Sequence, residues 1–284
     1  MLDCTMESIA LSDGYRAHAR WWCPPNPRGA VLYFHGIQSH GGWYERSGAH
    51  LADRQLAVLM PDRRGSGRNR QQRGHVDSVE RCIQDGKDAL EIIQQRTGFA
   101  TVHLVGVSWG GRLAVALADA EPQRVRTISL VAPGLFPKVD ISTGEKLRVA
   151  MSMLNERSRL FDIPLDDPGL FTTNPERIAF FRADELKLTQ VSASFLLASR
   201  RLDRRIRRFE RSDWKGAVHL FLAGRDKIID NEPTRRWFHN LALSDGKISE
   251  YADAEHTLEF EPDPDAFFSA LTDWIAERCD SRPG

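Results

Sequence analysis

The stretch from Thr101 to Ala114 constrains the fold of this chain most, because its hydrophobic period changes abruptly in the middle. Thr101 to Val107 is an apolar, β-branched run of the kind that forms buried strands. Beyond it, apolar residues recur at the spacing of a helix face, at Leu113, Ala114, Leu117 and Ala118. The residues in between, Gly-Val-Ser-Trp-Gly-Gly, are therefore predicted to form a tight turn from a strand into a helix.

This turn has the pattern Gly-x-Ser-x-Gly, with Ser108 at its centre. Between a strand and a helix, the pattern typically strains the backbone of the serine and lifts its hydroxyl above the sheet. Gly106 and Gly110 flank the serine, where a Cβ would collide with the neighbouring strand or helix. Because the hydroxyl then lies at the positive end of the helix dipole, the pattern predicts that Ser108 is a nucleophile. The alternative is a turn whose small residues only pack a helix on a strand.

Acyl transfer to a serine requires backbone N–H groups that stabilise the negative charge on the carbonyl oxygen. One donor is expected from Trp109, the residue after the nucleophile. The other is expected after the buried strand Ala30 to Phe34, where His35 and Gly36 place the amide of Ile37. Taken alone, this glycine-rich loop is typical of a surface turn. Its position upstream of the serine is what favours an oxyanion hole.

A catalytic serine also needs a histidine base and a carboxylate that orients the histidine. Asp226 directly follows the predicted strand Ala217 to Ala223, so we prefer it over Asp230 as the acid. Among the nine histidines, His256 is the one in a loop after the last predicted strand, Lys247 to Tyr251. The chain therefore carries a candidate nucleophile, acid and base in that order.

The length of the chain and its pattern of predicted strands and helices favour one large α/β domain that contains a helical insert. Its 284 residues, 41% of them hydrophobic, are enough for a sizeable core. Strand patterns run as far as Val125 to Val131, but residues 137–212 alternate helical segments with loops. We therefore predict a core domain of residues 1–136 and 213–284 and a helical cap of residues 137–212.

The insert concentrates apolar side chains that would suit a lipid pocket, and we expect them to cover the mouth of the active site. They are Leu147, Met151, Leu154, Phe180, Phe181 and Phe195. A small core of the insert alone would explain most of them. Seven arginines follow from Arg200 to Arg211 around an apolar stripe. A solvated helix face is the simpler interpretation of these arginines, and a patch for an anionic membrane surface is the alternative.

Composition argues against several classes of protein. The 39 basic and 39 acidic residues balance, which does not favour a nucleic-acid binder. The four cysteines lack metal-ligand spacing, which predicts free thiols, a reducing cytoplasmic compartment and no metal site. No stretch approaches the ~18 apolar residues of a membrane span, and the first residues do not have the pattern of a signal peptide. The sequence predicts no particular oligomeric state.

Several motifs are spread over nearly the whole chain. They are His35-Gly36 with Gly41 and Tyr44, Asp62-x-Arg64-Gly65-x-Gly67, Arg73-Gly74-His75, Gly106-x-Ser108-x-Gly110-Gly111, Gly224 before Asp226, and Glu255-His256. Together they resemble the monoacylglycerol lipase and lysophospholipase group of the α/β-hydrolases. The resemblance implies a mostly parallel eight-stranded sheet with helices on both faces and a helical cap after the sixth strand. It also implies ester hydrolysis without a cofactor, with Ser108, Asp226 and His256 as the triad and Ile37 and Trp109 as the oxyanion hole.

Trp109 departs from that group, which commonly has a small or polar residue beside the serine. A tryptophan there resembles proline iminopeptidases, although their His-Gly-Gly-Pro-Gly loop is absent. The predicted function is hydrolysis of carboxylic esters of monoacylglycerol-like or lysophospholipid-like single-chain lipids through an acyl-enzyme, with transient membrane contact through the cap. The alternatives are a small-ester hydrolase, a thioesterase, an iminopeptidase-like peptidase, or a non-catalytic α/β-hydrolase fold that binds a ligand or partner.

Overall fold

A single sheet of eight strands forms the centre of the computed structural model, which describes residues 2–210 and 214–279. The strands in the described chain are β1 (Thr5–Ala10), β2 (Arg16–Trp22), β3 (Gly29–Phe34), β4 (Leu56–Pro61), β5 (Val102–Val107), β6 (Val125–Val131), β7 (Leu160–Asp162), β8 (Gln190–Ser192), β9 (Ala217–Ala223) and β10 (Gly246–Tyr251). Their order in the sheet is β1-β2-β4-β3-β5-β6-β9-β10. Within this eight-stranded sheet of the described residues, only the pairings β1 with β2 and β2 with β4 are antiparallel. The predicted eight-stranded, mostly parallel sheet is confirmed.

The apolar runs of the sequence form the middle of this sheet. All residues of β3 and β5 are buried, as expected for strands covered on both faces. Parallel strands end at the same edge of a sheet. Since β5, β6, β9 and β10 are consecutive neighbours and all parallel, the loops that follow them meet at one edge. Three of these four loops carry the residues predicted as nucleophile, acid and base.

The helices pack beside the sheet in groups. They are α1 (Glu45–Asp53), α2 (Val79–Thr97), α3 (Trp109–Ala120), α4 (Thr143–Asn155), α5 (Pro175–Ala183), α6 (Ala193–Phe209), α7 (Asn231–Asn240) and α8 (Asp265–Ala276). Helices α2 and α3 pack against each other and against β3, while α1 packs on β4 and on α8. No helix in the described part of the chain is both long and apolar enough to cross a membrane.

Between β6 and β9 the chain forms α4, α5 and α6 together with the two short strands β7 and β8. These strands pair antiparallel over three residues each, which is too short for an alternating pattern to be visible in the sequence. The sequence predicted only helices and loops in this segment. The predicted boundary between cap and core, at residues 212 and 213, lies outside the described residues.

One expectation about this segment is wrong. Leu147, Met151 and Leu154 were expected to cover the active-site mouth, but they lie on the outer face of α4 and are 63%, 50% and 86% exposed. The opposite face of the same helix, with Val149 and Met153, lines a cavity instead. Both faces of α4 are apolar, so hydrophobic spacing alone does not determine which one is turned inward.

Candidate active site

Ser108 lies in the turn between β5 and α3 with backbone angles φ 49° and ψ −122°. For a residue other than glycine, such a conformation costs about 1–3 kcal/mol and persists only where the surroundings enforce it. The Ser108 N–H donates to the Val131 carbonyl at 2.9 Å. The Ser108 carbonyl accepts from the N–H groups of Gly111 and Gly134, at 2.9 Å and 2.8 Å. These three backbone hydrogen bonds hold the strained turn in place.

The glycines around Ser108 are required by space, as the sequence predicted. A Cβ on Gly106 would lie 2.7 Å from the carbonyl oxygen of Gly110. A Cβ on Gly110 would lie 2.3 Å from the carbonyl oxygen of Phe34, at the end of β3. Both distances are far below van der Waals contact, so the turn can only approach the neighbouring strand without side chains at these positions.

Asp226 and His256 form a buried pair at the same edge of the sheet. Asp226 Oδ2 lies 2.8 Å from His256 Nδ1, and the two residues are 3% and 2% exposed. Asp226 Oδ1 accepts from the N–H groups of Ile228 and Ile229, each at 2.8 Å. Because an ionised carboxylate only accepts hydrogen bonds, Nδ1 of His256 carries the proton and Nε2 is left as an acceptor.

The surroundings of Asp226 keep this carboxylate ionised. Burial by itself would raise its pKa, but the adjacent His256 and the two backbone donors outweigh burial, so the pKa lies below its ordinary value. By contrast, Asp230 caps the N-terminus of α7 by accepting from the N–H of Glu232. The structure therefore places one carboxylate of this loop on the histidine and the other on a helix end.

Ser108 follows β5 at the same edge of the sheet as this pair, but no hydrogen bond joins them in the described chain. Within the described residues, the Ser108 hydroxyl has no hydrogen bond to His256. Hydrogen bonds of a catalytic base are often long in the absence of substrate and tighten when substrate binds. Ser108 lines a cavity together with Ile228 and Ile229, the two residues whose amides hold Asp226. The nucleophile candidate and the acid loop thus face the same space.

The two residues predicted to form an oxyanion hole belong to segments that adjoin Ser108, the loop after β3 and the start of α3. Gly36 passes so close that an added Cβ would be 3.3 Å from the Cβ of Ser108. Ile37 and Trp109 line the same cavity as Ser108. Neither amide has a hydrogen-bond acceptor among residues 2–210 and 214–279. The amide of Trp109 is the first of α3, where helices leave their N–H groups without partners. Both donors are therefore available to a substrate oxygen.

The cavity at Ser108 has a volume of about 530 Å³ and is mainly apolar. Apolar lining residues come from α4, α6 and the loops after β6, β7 and β9, and include Pro137, Val149, Met153, Ile163, Leu165, Leu196, Leu197 and Ile228. One part of the wall is charged. There Asp140 pairs with Lys146 of α4 at 2.7 Å and with Arg200 of α6 at 2.5 Å. An elongated apolar group with a polar end would match this lining.

Sequence reasoning missed an aromatic cluster that packs on the histidine. Phe171 contacts the ring of His256 edge-on at 5.9 Å, and it also packs on Phe181 at 5.0 Å. Trp43 joins Phe181 to Phe260 and donates from Nε1 to the carboxylate of Asp184 at 2.7 Å. These rings come from three separated parts of the chain, near residues 43, 171–181 and 256–260, so no local pattern in the sequence connects them.

The side chain of Trp109 is used to join two helices. Its ring stacks on Phe195 of α6 with centroids 5.2 Å apart, and its Nε1 donates to the Ser199 hydroxyl at 2.9 Å. Nearby, Arg112 of α3 pairs with Asp203 of α6 at 2.9 Å. The residue after Ser108 therefore fastens α6 to α3, which a small or polar residue could not do.

The sequence pattern of the hydrolase family described as serine aminopeptidase, S33, matches residues 25–263. The chain belongs to this family. Human monoglyceride lipase is 22% identical to this chain over 275 residues, which cover 95% of this chain and 90% of the relative. Phospholipase YtpA of Bacillus subtilis is 26% identical over 261 residues, covering 88% and 95%.

Solved structures share the architecture of this S33 member. The monoacylglycerol lipase of Paleococcus ferrophilus superposes with a TM-score of 0.83 at 23% identity and covers 93% of this chain and 100% of its own. A soluble variant of Saccharomyces cerevisiae monoglyceride lipase, in complex with a substrate analogue, superposes with a TM-score of 0.86 at 16% identity, covering 99% and 96%. These structures confirm the α/β-hydrolase fold, and the family match with the named relatives confirms the resemblance to the monoacylglycerol lipase group.

Proposed function

We propose that this S33 family member hydrolyses carboxylic esters of single-chain lipids, with Ser108 as nucleophile. The observation that carries the proposal is the buried Asp226–His256 pair, which lies at the sheet edge that also presents Ser108 to an apolar cavity. Relatives named as monoglyceride lipases and a phospholipase support a lipid ester as the substrate.

The reaction would proceed in two halves through a covalent acyl-enzyme. His256 Nε2 takes the proton of Ser108 as the serine oxygen attacks the acyl carbon, and then gives that proton to the leaving alcohol. Asp226 orients His256 and stabilises its positive charge. A water then repeats the sequence on the acyl-enzyme and releases the carboxylic acid. The amides of Ile37 and Trp109 receive the oxyanion, and each donor contributes roughly 3–4 kcal/mol of transition-state stabilisation.

The segment of residues 137–212 would act as the cap over the acyl chain. Helices α4 and α6 supply much of the apolar wall of the cavity. Each buried methylene contributes about 0.8 kcal/mol, so a chain of several carbons would be held firmly. The charged wall around Asp140 suits the polar end of the lipid. The exposed leucines on the outer face of α4 would give the cap its transient contact with a membrane surface.

A peptidase is the second candidate, since the family description names an aminopeptidase. The sequence feature in its favour was Trp109. Trp109 is only 4% exposed, and its side chain packs between α3 and α6. This packing weakens the argument that Trp109 shapes a peptide-binding site. A non-catalytic member of the fold would keep the same geometry without turnover.

Fluorophosphonate labelling combined with ester turnover tests the proposal. We expect the probe to modify Ser108 and the protein to hydrolyse p-nitrophenyl butyrate. Ser108→Ala should lose both properties, with turnover at least about a thousandfold lower, while its circular dichroism and Tm remain those of a folded protein. Near-normal hydrolysis by folded Ser108→Ala would refute the mechanism. Labelling without turnover of any ester, thioester or amide would instead favour a binding protein.

A further inference from the structure

Arg63 lies in the loop after β4 and contacts both segments that carry the proposed oxyanion amides. Its Nη2 donates to the carbonyl of Ile37 at 2.8 Å. Its guanidinium carbon lies 4.8 Å from the ring centroid of Trp109 and also 4.8 Å from that of Phe195. One side chain therefore touches each of the two residues whose N–H groups would bind the oxyanion.

The backbone of Arg63 makes a second connection to the same loop. Its N–H donates to Nε2 of His35 at 2.8 Å, and Nδ1 of His35 donates to the carbonyl of Gly36 at 2.8 Å. Burial, aided by the charge of Arg63, lowers the pKa of His35 to about 3, so the ring stays neutral. A neutral ring with its proton on Nδ1 satisfies both contacts at once. Arg63 thus holds the loop at Gly36 and at Ile37.

The charge of Arg63 is offset only in part by the neighbouring carboxylate of Asp62. Among the described residues it forms no ion pair, and its Nε and Nη1 are buried without an acceptor. Burial lowers its pKa to about 10, so it remains protonated at neutral pH. A positive charge in such a poorly hydrated place attracts nearby negative charge much more strongly than it would in water.

We propose that Arg63 is a positioning residue for acyl transfer, which fixes the spacing of the Ile37 and Trp109 amides and adds positive potential where the oxyanion forms. The two amides belong to different elements, a loop after β3 and the start of α3, so neither element sets their separation. Arg63 joins them. This inference rests on the proposed function and refines it, because it needs a reaction that builds negative charge at that point.

Three variants test the inference: Arg63→Met removes the charge and the donor, Arg63→Lys keeps both, and Arg73→Met is the matched control. Arg73 also holds loops through backbone carbonyls, those of Gly67, Leu186 and Lys187. With p-nitrophenyl butyrate, we expect Arg63→Met to lower kcat by about 10- to 100-fold with KM within about twofold, since small misplacements of such donors are costly. Arg63→Lys should stay within about fivefold of the parent chain and Arg73→Met close to it.

A pair of inhibitors separates positioning from a merely structural role. A trifluoromethyl ketone forms a tetrahedral adduct with an oxyanion, whereas an ether analogue of the ester binds without one. Arg63→Met should weaken the ketone by the same factor as kcat and leave the ether unchanged. An unchanged kcat in folded Arg63→Met, or an equal loss for ketone and ether, would overturn the inference. If Arg63→Met does not fold, Arg63→Gln carries the same comparison.

Failure of the proposed function would be distinguishable from failure of this inference. If the parent chain turns over no ester, the rate of fluorophosphonate labelling of Ser108 replaces kcat, because that reaction also builds negative charge on an oxygen bound by the same amides. Arg63→Met should then label about 10- to 100-fold more slowly than the parent, and equal labelling rates would refute the role of Arg63.

Discussion

Asp226 and Asp230 show how strongly the role of a residue depends on its immediate neighbours. They lie in one loop after β9, and the sequence alone favoured Asp226 only because it is nearer to the strand end. In the structure Asp226 accepts from His256 Nδ1, while Asp230 accepts from the backbone N–H of Glu232 at the start of α7. The first contact determines which nitrogen of His256 carries the proton, and the second satisfies a backbone N–H at the start of α7.

We expect Asp226→Asn to lower kcat by about 10⁴-fold with little change in Tm, because asparagine favours the wrong tautomer of His256. Asp230→Asn should change kcat less than about twofold, because asparagine caps helices as well as aspartate does. Ester hydrolysis rates and thermal unfolding of the two variants provide the measurement. A larger loss for Asp230→Asn than for Asp226→Asn would mean that the acid is assigned to the wrong residue.

Glu259 is a buried carboxyl that the proposed reaction does not use. It accepts from the Ser47 N–H at 3.2 Å and also bonds the Ser47 hydroxyl, yet burial raises its pKa to about 7. In the unfolded chain the group ionises near its ordinary value. Ionisation of the folded form is therefore disfavoured, so Glu259 lowers the free energy of unfolding progressively as the pH rises from about 4 to 7.

Glu259→Gln should remove this dependence, because glutamine can keep both contacts with Ser47 and does not ionise. Relative to the parent chain, the variant should gain stability between pH 5 and pH 8, by at most about 3 kcal/mol. Urea unfolding at the two pH values measures this difference, with Glu91→Gln on the exposed side of α2 as the control. A stability difference that does not change with pH would show that Glu259 ionises in the folded chain as it does in the unfolded one.

At the scale of elements, α4 and α6 border the same cavity but are attached differently. Helix α6 is fastened to α3 by the Trp109–Ser199 hydrogen bond and the Arg112–Asp203 ion pair. Among the described contacts, α4 packs mainly on α6, and it turns three large apolar residues to solvent. An exposed apolar helix face beside an apolar cavity is typical of a contact surface rather than of a core.

Replacing two of these residues, in Leu147→Ser/Leu154→Ser, should weaken binding to phospholipid vesicles at least about tenfold, since each leucine buried in lipid contributes ~1.5–3 kcal/mol. Hydrolysis of monoacylglycerol in vesicles should fall in parallel. Turnover of soluble p-nitrophenyl butyrate should not change. Met6→Ser on β1, which replaces a residue 40% exposed outside this segment, is the control. Equal vesicle binding by all these proteins would argue against membrane contact through α4.

For the molecule as a whole, the features that could be predicted are those encoded by a short continuous stretch of the sequence, such as the end of a strand. Ser108, Asp226 and His256 each follow a strand whose end is visible in the sequence, and parallel strands bring such loops to one edge. The orientation of α4 could not be predicted, because both of its faces are apolar. The link from Arg63 to Ile37 and Trp109 was also invisible, since it joins residues that are far apart in the chain and are placed together only by packing.

The size and lining of the cavity lead to a prediction for the whole enzyme. Along a series of p-nitrophenyl esters below their micelle concentrations, kcat/KM should rise from acetate to about octanoate. The gain should be at most about fourfold per methylene, which corresponds to ~0.8 kcal/mol. Ala150→Phe, on the cavity face of α4, should shift the preferred chain length downwards. A steady fall from acetate onward would reject the lipid substrate.

The strained backbone of Ser108 implies that a substitution at this position can raise stability while it lowers activity. Its positive φ is a conformation that glycine adopts without strain and that serine adopts only at a cost. Replacing Ser108 by glycine would relax the turn and remove the proposed nucleophile at the same time. High thermal stability in a collection of variants is therefore no guide to activity here, since selection for stability alone would favour the loss of the residue proposed to perform the chemistry.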